Sequence, residues 1–194
     1  MTDQEQPATG NPLDQLKAAH GVFLEVLRNV RPEQMSLPTP DDEWDVRALI
    51  NHVVLGNIWA AENVKTGSAP RPSGDIIGER DPVEAYATSA DAMMAAFDEP
   101  GAFDRMVTMP FGEMPAAGLA GFRFVDLVVH TWDLAKATGQ ETDLAPDLCE
   151  AALAMSRQRM TGMDRANMPF KDEVAVPVDA PAADRLAGFL GRQM

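Results

Sequence analysis

The segment FRFVDLVVHTWDLAKATG, residues 122–139, decides the predicted fold. Its residues are apolar on almost every side of a helix, a pattern typical of a helix buried inside a bundle. The segment nevertheless carries Asp126, His130 and Asp133, which all project from one helix face because successive residues turn by about 100°. Burial of an aspartate and an imidazole one turn apart is costly unless another group satisfies them. A metal ion is one such group.

Capping residues and the helical spacing of apolar residues predict four more helices around this segment. Asn11 and Asp45 are placed to cap two helix starts, and Gly67 and Gly139 are placed to end two helices. The predicted helices span residues 12–30, 46–65, 82–97, 115–138 and a stretch that begins at 146. A weakly signalled hairpin in residues 102–113, an extended piece, EVAVPV (173–178), and a short helix in AADRLAGFLGR (182–192) complete the chain.

These elements predict an all-α fold, a four-helix bundle with short extra helices and minor, peripheral strand segments. Long helices joined by loops of moderate length, without a βαβ alternation, favour this class. We expect one domain over residues 11–194, preceded by a disordered polar tail over residues 1–10.

The composition is typical of a globular protein and limits the partners. A formal net charge of −14 opposes binding to nucleic acid and to anionic membranes. No apolar run approaches the ~20 residues needed to span a bilayer, and the polar start lacks the features of a signal peptide. One cysteine, Cys149, excludes an internal disulfide, so that we expect a cytoplasmic location. Cys149 has no basic neighbour that would favour a thiolate, and we do not expect it to act as a nucleophile.

Two of the three histidines, His52 and His130, fall on the inner faces of two well-defined helices. With Asp126 they form a set of two imidazoles and one carboxylate, and helical bundles build metal sites from such side chains on facing helices. Three protein ligands leave a coordination position open, as in catalytic zinc sites. The same set is compatible with nickel or non-haem iron. His52, Asp126 and His130 are therefore candidate metal ligands.

The spacing also fits an ordinary helical core. A buried histidine is more often hydrogen-bonded to a carbonyl than bound to a metal. Asp126 can instead form an ion pair with Arg123, which lies one turn earlier. Asp133 can hydrogen-bond a ligand imidazole as an outer partner, or it can pair with Lys136 on the helix surface. Spacing alone leaves both the metal site and the metal-free core open.

Two further residues are candidates for the wall of a pocket. His20 lies on the apolar face of the first helix, where it either lines the same cavity or, as we favour, is a satisfied core histidine. Trp59 follows His52 by two turns and either walls a pocket or fills the core. The sequence contains no phosphate loop, nucleophile elbow or CxxC motif, and it assigns no catalytic residue.

Two blocks, WDVRALINH (44–52) and HTWDLAKATG (130–139), resemble the metal-binding domain of the mycothiol-dependent maleylpyruvate isomerases, within the DinB-like superfamily. With the closing AADRLAGFLGR, the resemblance covers most of residues 13–192. In that family a four-helix bundle holds a divalent metal, usually zinc, through a histidine of the second helix and an acid-x3-His pair of a later helix. The resemblance thus implies metal ligation by His52, Asp126 and His130.

The chain departs from the family pattern in two ways. The family's acid is typically glutamate, so that Asp126 must reach the metal with a side chain one methylene shorter. The isomerases also carry a C-terminal domain that contributes to their site, and we expect no counterpart of it here. This second departure makes maleylpyruvate itself a disfavoured substrate.

The resemblance implies a metalloenzyme that depends on a low-molecular-weight thiol such as mycothiol. The thiol would bind beside the metal and react with a small electrophile, by transfer or by isomerisation, and we favour a transferase of unknown specificity. The alternative is a non-catalytic metal- or ligand-binding bundle that acts as a sensor or an interaction module. Superfamily members often pair through bundle helices, which makes a homodimer a further expectation.

Overall fold

Helix boundaries follow the capping residues of the sequence. The Asn11 side chain accepts the Leu13 N–H at 3.1 Å, and the Asp45 side chain accepts the Ala48 N–H at 2.8 Å. Each bond satisfies a donor at a helix N-terminus. The structure is a computed structural model that describes residues 11–78, 80–165 and 170–194. Its helices are α1 (Pro12–Arg28), α2 (Val46–Thr66), α3 (Pro82–Asp98), α4 (Ala116–Thr138), α5 (Pro146–Met160) and α6 (Ala182–Phe189), and its strands are β1 (Met106–Met109) and β2 (Gly112–Pro115).

The first four helices form the predicted bundle. α2 packs against α3 and α4, and α1 packs against the same two helices, so that each helix has two neighbours around a shared core. α5 and α6 pack on each other and against α4. α4 is therefore covered on several sides, and most of its residues are buried. The all-α class and the four-helix bundle predicted from the sequence are confirmed.

The strand segments are small and lie outside the bundle. β1 and β2 pair as an antiparallel hairpin in which Met106 faces Pro115 and Met109 faces Gly112. The predicted extended piece, residues 173–178, joins no strand in the described part of the chain, and the Val174 N–H instead donates to the carbonyl of Gly188 at 2.9 Å. Within the described ranges, no helix is long and apolar enough to cross a membrane. The predicted disordered tail, residues 1–10, lies outside the described residues.

α2, which carries His52, is fixed at both ends by its local sequence. Asp45 caps its first turn, and Gly67 ends it with a φ of 81°, a left-handed conformation that glycine adopts without strain. The carbonyl of Gly67 then accepts the Thr108 N–H of β1 at 2.8 Å. Because this bond ties the end of α2 to the hairpin, both ends of the helix help to place His52.

Replacement of Asp45 by alanine removes the cap of α2 and is expected to lower the free energy of unfolding by about 1 kcal/mol. For a chain of this length the melting temperature should fall by about 2–4 °C. Thermal and urea denaturation followed by circular dichroism measure both quantities. Glu43→Ala is the matched control, because Glu43 is an exposed acid that lies before the cap. Equal losses in the two variants would contradict the capping role.

Candidate metal centre

α2 and α4 bring His52, Asp126 and His130 together. One ligand atom from each residue lies within 4.8 Å of the other two. Asp126 Oδ1 is 3.6 Å from His52 Nε2 and 3.5 Å from His130 Nε2. These distances are too long for good hydrogen bonds, but they approach the ~3.3 Å edge of a tetrahedron with metal–ligand bonds of about 2.0–2.1 Å. The three side chains therefore have a spacing that fits a divalent ion.

His130 is oriented by Asp133, which lies one turn further along α4. His130 Nδ1 is 2.9 Å from Asp133 Oδ2, so that Nδ1 carries the donated proton and Nε2 faces Asp126. Burial opposes a charge on the His130 ring, but the carboxylates of Asp126 and Asp133 more than offset it and raise its pKa to about 9. The same carboxylates favour a metal cation, which would have to displace the Nε2 proton.

His52 offers an unsatisfied nitrogen. Its Nε2 is buried and has no hydrogen-bond partner among the described residues. The ring stacks on Trp44, with centroids 4.3 Å apart and planes 29° from parallel, and Trp44 also contacts the ring of His130. Burial lowers the pKa of His52, so that the neutral ring presents a lone pair, as metal coordination requires. An ion would satisfy this orphaned atom.

Asp126 uses its two oxygens differently. Oδ2 lies 2.5 Å from Nη1 of Arg123 and forms with it the ion pair that the sequence allowed as an alternative. Oδ1 faces the two imidazoles. Burial opposes ionisation of Asp126, but the positive charges of Arg123 and His130 hold its pKa well below the usual range. The carboxylate is therefore ionised, and the ion pair leaves its second oxygen available as a ligand.

Asp133 is fully buried and is held by a residue from beyond the end of α6. Arg192 donates from Nε to Asp133 Oδ1 and from Nη2 to Asp133 Oδ2, both at 3.0 Å. Arg192 also pairs with Asp41 at 2.8 Å. Lys136, the surface partner that the sequence allowed, lies instead over the ring of Trp132. Sequence reasoning missed Arg192 and Asp41. Both lie more than fifty residues from Asp133 along the chain, and no local pattern relates such distant residues.

A cavity of about 730 Å³ opens beside these residues, and His52, Asp126 and Arg123 form part of its wall. Trp59 lies in the same wall, with its indole N–H donating to the carbonyl of Ala69 at 3.0 Å. Most of the remaining wall is apolar and includes Leu55, Met109, Met114, Phe122 and Phe170. The volume is typical of pockets that hold small molecules.

His20 lies elsewhere in the core. Its Nδ1 is 2.5 Å from the Tyr86 hydroxyl, which is also 3.3 Å from the His20 carbonyl oxygen. Burial, together with the positive charge of Arg123, lowers the pKa of His20 to about 3. Among the described residues, the lining of the cavity does not include His20. His20 thus lies beside Tyr86 in the core, but its Nε2 has no hydrogen-bond partner among the described residues, so that only one of its ring nitrogens is satisfied.

Cys149 is buried in α5, where its Sγ donates to the carbonyl of Leu144 at 3.3 Å. Burial, followed by the nearby carboxylates of Asp143 and Glu150, raises the pKa of the thiol to about 12. A thiol that stays protonated is a poor nucleophile. The environment of Cys149 thus agrees with the sequence-based expectation.

The sequence matches the family described as the mycothiol maleylpyruvate isomerase N-terminal domain over residues 16–135. The chain belongs to this family. Two uncharacterized proteins of Mycobacterium tuberculosis, from strains CDC 1551 and H37Rv, are each 39% identical to it over 187 residues, which cover 94% of this chain and 98% of the relative. The region matched to the isomerase N-terminal domain contains His52, Asp126, His130 and Asp133, and it ends before α5.

The fold of this chain is similar to that of two solved structures. They are the mycothiol-dependent maleylpyruvate isomerase, at 17% sequence identity, and a mutant of it, at 18%, both with a TM-score of 0.60. Each comparison covers 74% of this chain and 66% of the other. The likeness supports the helical-bundle fold predicted from the sequence.

The pKa of His20 makes a prediction for the metal-free protein. Folded His20 is neutral until the pH approaches 3, whereas the unfolded chain takes up a proton near pH 6.5. The contribution of neutral His20 to the free energy of unfolding is therefore complete above pH 6.5. As the pH falls from 6.5 toward 3, this contribution decreases by about 1.4 kcal/mol per pH unit. His20→Gln should lack this slope in urea unfolding from pH 7 downward. An NMR titration in which the folded His20 ring gains its proton near pH 6.5 would contradict the prediction.

Proposed function

We propose that the chain is a divalent-metal-dependent enzyme that uses a low-molecular-weight thiol, such as mycothiol, to act on a small electrophile as a transferase or an isomerase. The observation that carries the proposal is the place of His52 and Asp126 on the wall of a cavity of about 730 Å³. An ion held by these residues and His130 would be open to that cavity, as catalytic metal sites require. The similar fold of a mycothiol-dependent maleylpyruvate isomerase supports this type of chemistry.

The side chains around the centre suit zinc, and two imidazoles with one carboxylate also suit nickel or iron. When bound, such an ion would stabilise the thiolate form of a thiol beside it near neutral pH. His52 and His130 supply neutral nitrogens in this arrangement, and Asp126 supplies a negative charge. Asp133 keeps the His130 ring in the orientation that turns Nε2 toward the centre.

The cavity suits an electrophile with an apolar body and an anionic group. Arg71 stacks on Trp59 with its Cζ 4.3 Å from the ring centroid, and Arg159 stacks on Phe122 at 5.0 Å. Among the described residues neither guanidinium forms an ion pair, so that their N–H groups are available to a carboxylate. Although Asp164 also lines the cavity, two arginines leave this part of the wall positive in a chain of net charge −14.

Transfer and isomerisation differ in the fate of the thiol adduct. If the sulfur–carbon bond formed by addition to the electrophile is kept, the product is a thioether conjugate. If that bond breaks after rotation about the former double bond, the thiol is released and the electrophile is isomerised. Neither course needs an oxidant or a reductant, and analysis of the products distinguishes them.

The second candidate is a bundle without turnover that binds a metal or another ligand as a sensor or an interaction module. The ion pair of Asp126 with Arg123 favours it, because this pair partly satisfies the buried carboxylate without an ion. The size of the cavity beside the centre favours the enzyme. A homodimer and a cytoplasmic location stay predictions from the sequence.

Metal analysis of protein purified without a histidine tag tests the proposed ligands. We expect about one zinc ion per wild-type chain, as in sites with three protein ligands. His52→Ala and His130→Ala should each weaken binding by at least roughly 100-fold, because loss of an outer partner alone costs about 10–100-fold. Elemental analysis and calorimetric titration with zinc measure stoichiometry and affinity.

His20→Gln is the matched control, since His20 is a buried histidine that makes no part of the cavity wall, and it should keep the metal. Equal metal contents in all four proteins would overturn the ligand assignment. A wild-type protein that holds zinc but gives no calorimetric signal with mycothiol would overturn the thiol-dependent enzyme and favour the second candidate.

Arg159→Gln is expected to raise the KM for an α,β-unsaturated carboxylic acid by roughly tenfold or more, because a hydrogen bond to a charged group contributes about 1.5–3 kcal/mol. The KM for the neutral methyl ester should change little. Thiol-dependent consumption of the acid and of the ester, followed by chromatography, measures both. Arg157→Gln is the control. Arg157 lies on α5 like Arg159, but it stacks on Phe189 of α6 and lies outside the described cavity lining. Equal effects on the acid and the ester would contradict an anion-binding role.

A further inference from the structure

The two oxygens of Asp126 face partners of opposite kinds. Oδ1 lies 3.5 and 3.6 Å from the two imidazole nitrogens, whereas Oδ2 lies 2.5 Å from Nη1 of Arg123. A carboxylate can bind a divalent ion through one oxygen or through both. The partner of Oδ2 therefore bears on how many coordination positions Asp126 can fill.

Arg123 is held firmly, with its side chain only 6% exposed. Besides Asp126, its guanidinium donates from Nη2 to Asn57 Oδ1 at 2.9 Å and to the carbonyl of Val53 at 3.3 Å. Asn57 is itself fully buried and donates onward to Ser89 Oγ at 3.1 Å. Movement of the guanidinium would take from the buried Oδ1 of Asn57 the donor that it accepts from, which is costly.

Gly56 makes the space that Arg123 occupies. A Cβ atom at Gly56 would lie 2.7 Å from Arg123 Cζ and 3.0 Å from Nη2, both too close for an ordinary contact. The guanidinium therefore packs directly on the backbone of α2, the helix that carries His52. Val53, Gly56 and Asn57 form one face of that helix, so that α2 fixes the orientation of a ligand on α4 through Arg123.

We infer that Arg123 is a positioning residue that restricts Asp126 to a single ligand oxygen and so keeps a coordination position open toward the cavity. The inference rests on the proposed function, because it requires the metal centre. A guanidinium on Oδ2 competes with the ion for that oxygen and leaves Oδ1 as the ligand. If Arg123 served only to join α4 to Val53 and Asn57 of α2, its loss would affect stability and leave the coordination of the metal unchanged.

Cobalt(II) in place of zinc tests the inference in the full chain, since zinc has no d–d spectrum. Wild-type protein should show the intense visible bands of four-coordinate cobalt. Arg123→Met should still bind cobalt but show weaker bands, which indicate a higher coordination number as Asp126 binds through both oxygens. Mycothiol affinity, measured by calorimetry, should fall by roughly 10–100-fold, as for other losses of an outer partner.

Gly56→Ala is the second variant, because it displaces Arg123 without removing any polar group, and its spectrum should change in the same direction. Arg105→Met is the matched control: Arg105 pairs with Glu99 and donates to the Val64 carbonyl of α2, and its loss should leave the spectrum unchanged. If folded Arg123→Met and Gly56→Ala gave the same cobalt spectrum as the wild-type protein, the inference would be overturned while the proposed function stands. A wild-type protein that binds no cobalt would overturn both.

Discussion

The ionised carboxylate of Asp126 is the charge on which the rest of the centre depends. It lies in a largely apolar bundle, where an unpaired carboxylate would be costly. Arg123 lies on one side of it, and His52 and His130 lie on the other. Because the removal of one partner from a buried charged group costs far more than the loss of a surface ion pair, these four side chains act as one electrostatic unit. α2 and α4 must keep their relative position for that unit to exist, so that helix packing and site chemistry depend on the same contacts.

A second buried carboxylate links this unit to the C-terminal end of the chain. Asp133 accepts from His130 on one side and from Arg192 on the other, and Arg192 reaches Asp41 in the loop before α2. One arginine thus connects three segments that are far apart in sequence. The orientation of His130 consequently depends on the docking of α6, although α6 provides none of the candidate ligands. Local opening of the C-terminal segment would take Arg192 away from Asp133 and so weaken the Nδ1 hydrogen bond that orients the His130 ring.

The parts of the structure that sequence reasoning reached are those encoded by local patterns. Asp45 as a cap of α2 and the spacing of Asp126 and His130 on α4 follow from rules that span a few residues, and the helix boundaries and the bundle follow from them. The contact of Trp44 with His52 and the place of Arg192 are tertiary, because they depend on how helices and loops meet. The cavity is tertiary as well, since its wall combines α2, α4 and α5 with the hairpin, whose sequence signal was weak.

At position 126 this chain has aspartate where the family it resembles typically has glutamate. The shorter side chain is compatible with the spacing of the candidate metal centre. Its Oδ1 already lies 3.5 and 3.6 Å from the two imidazole nitrogens, a spacing at which one ion can contact all three atoms. The short side chain also keeps Oδ2 close to its own helix, within reach of Arg123 one turn earlier. Gly56 lets the guanidinium lie against α2, where a side chain would collide with it. Gly56, Arg123 and Asp126 therefore form one packed set that fixes the orientation of the Asp126 carboxylate.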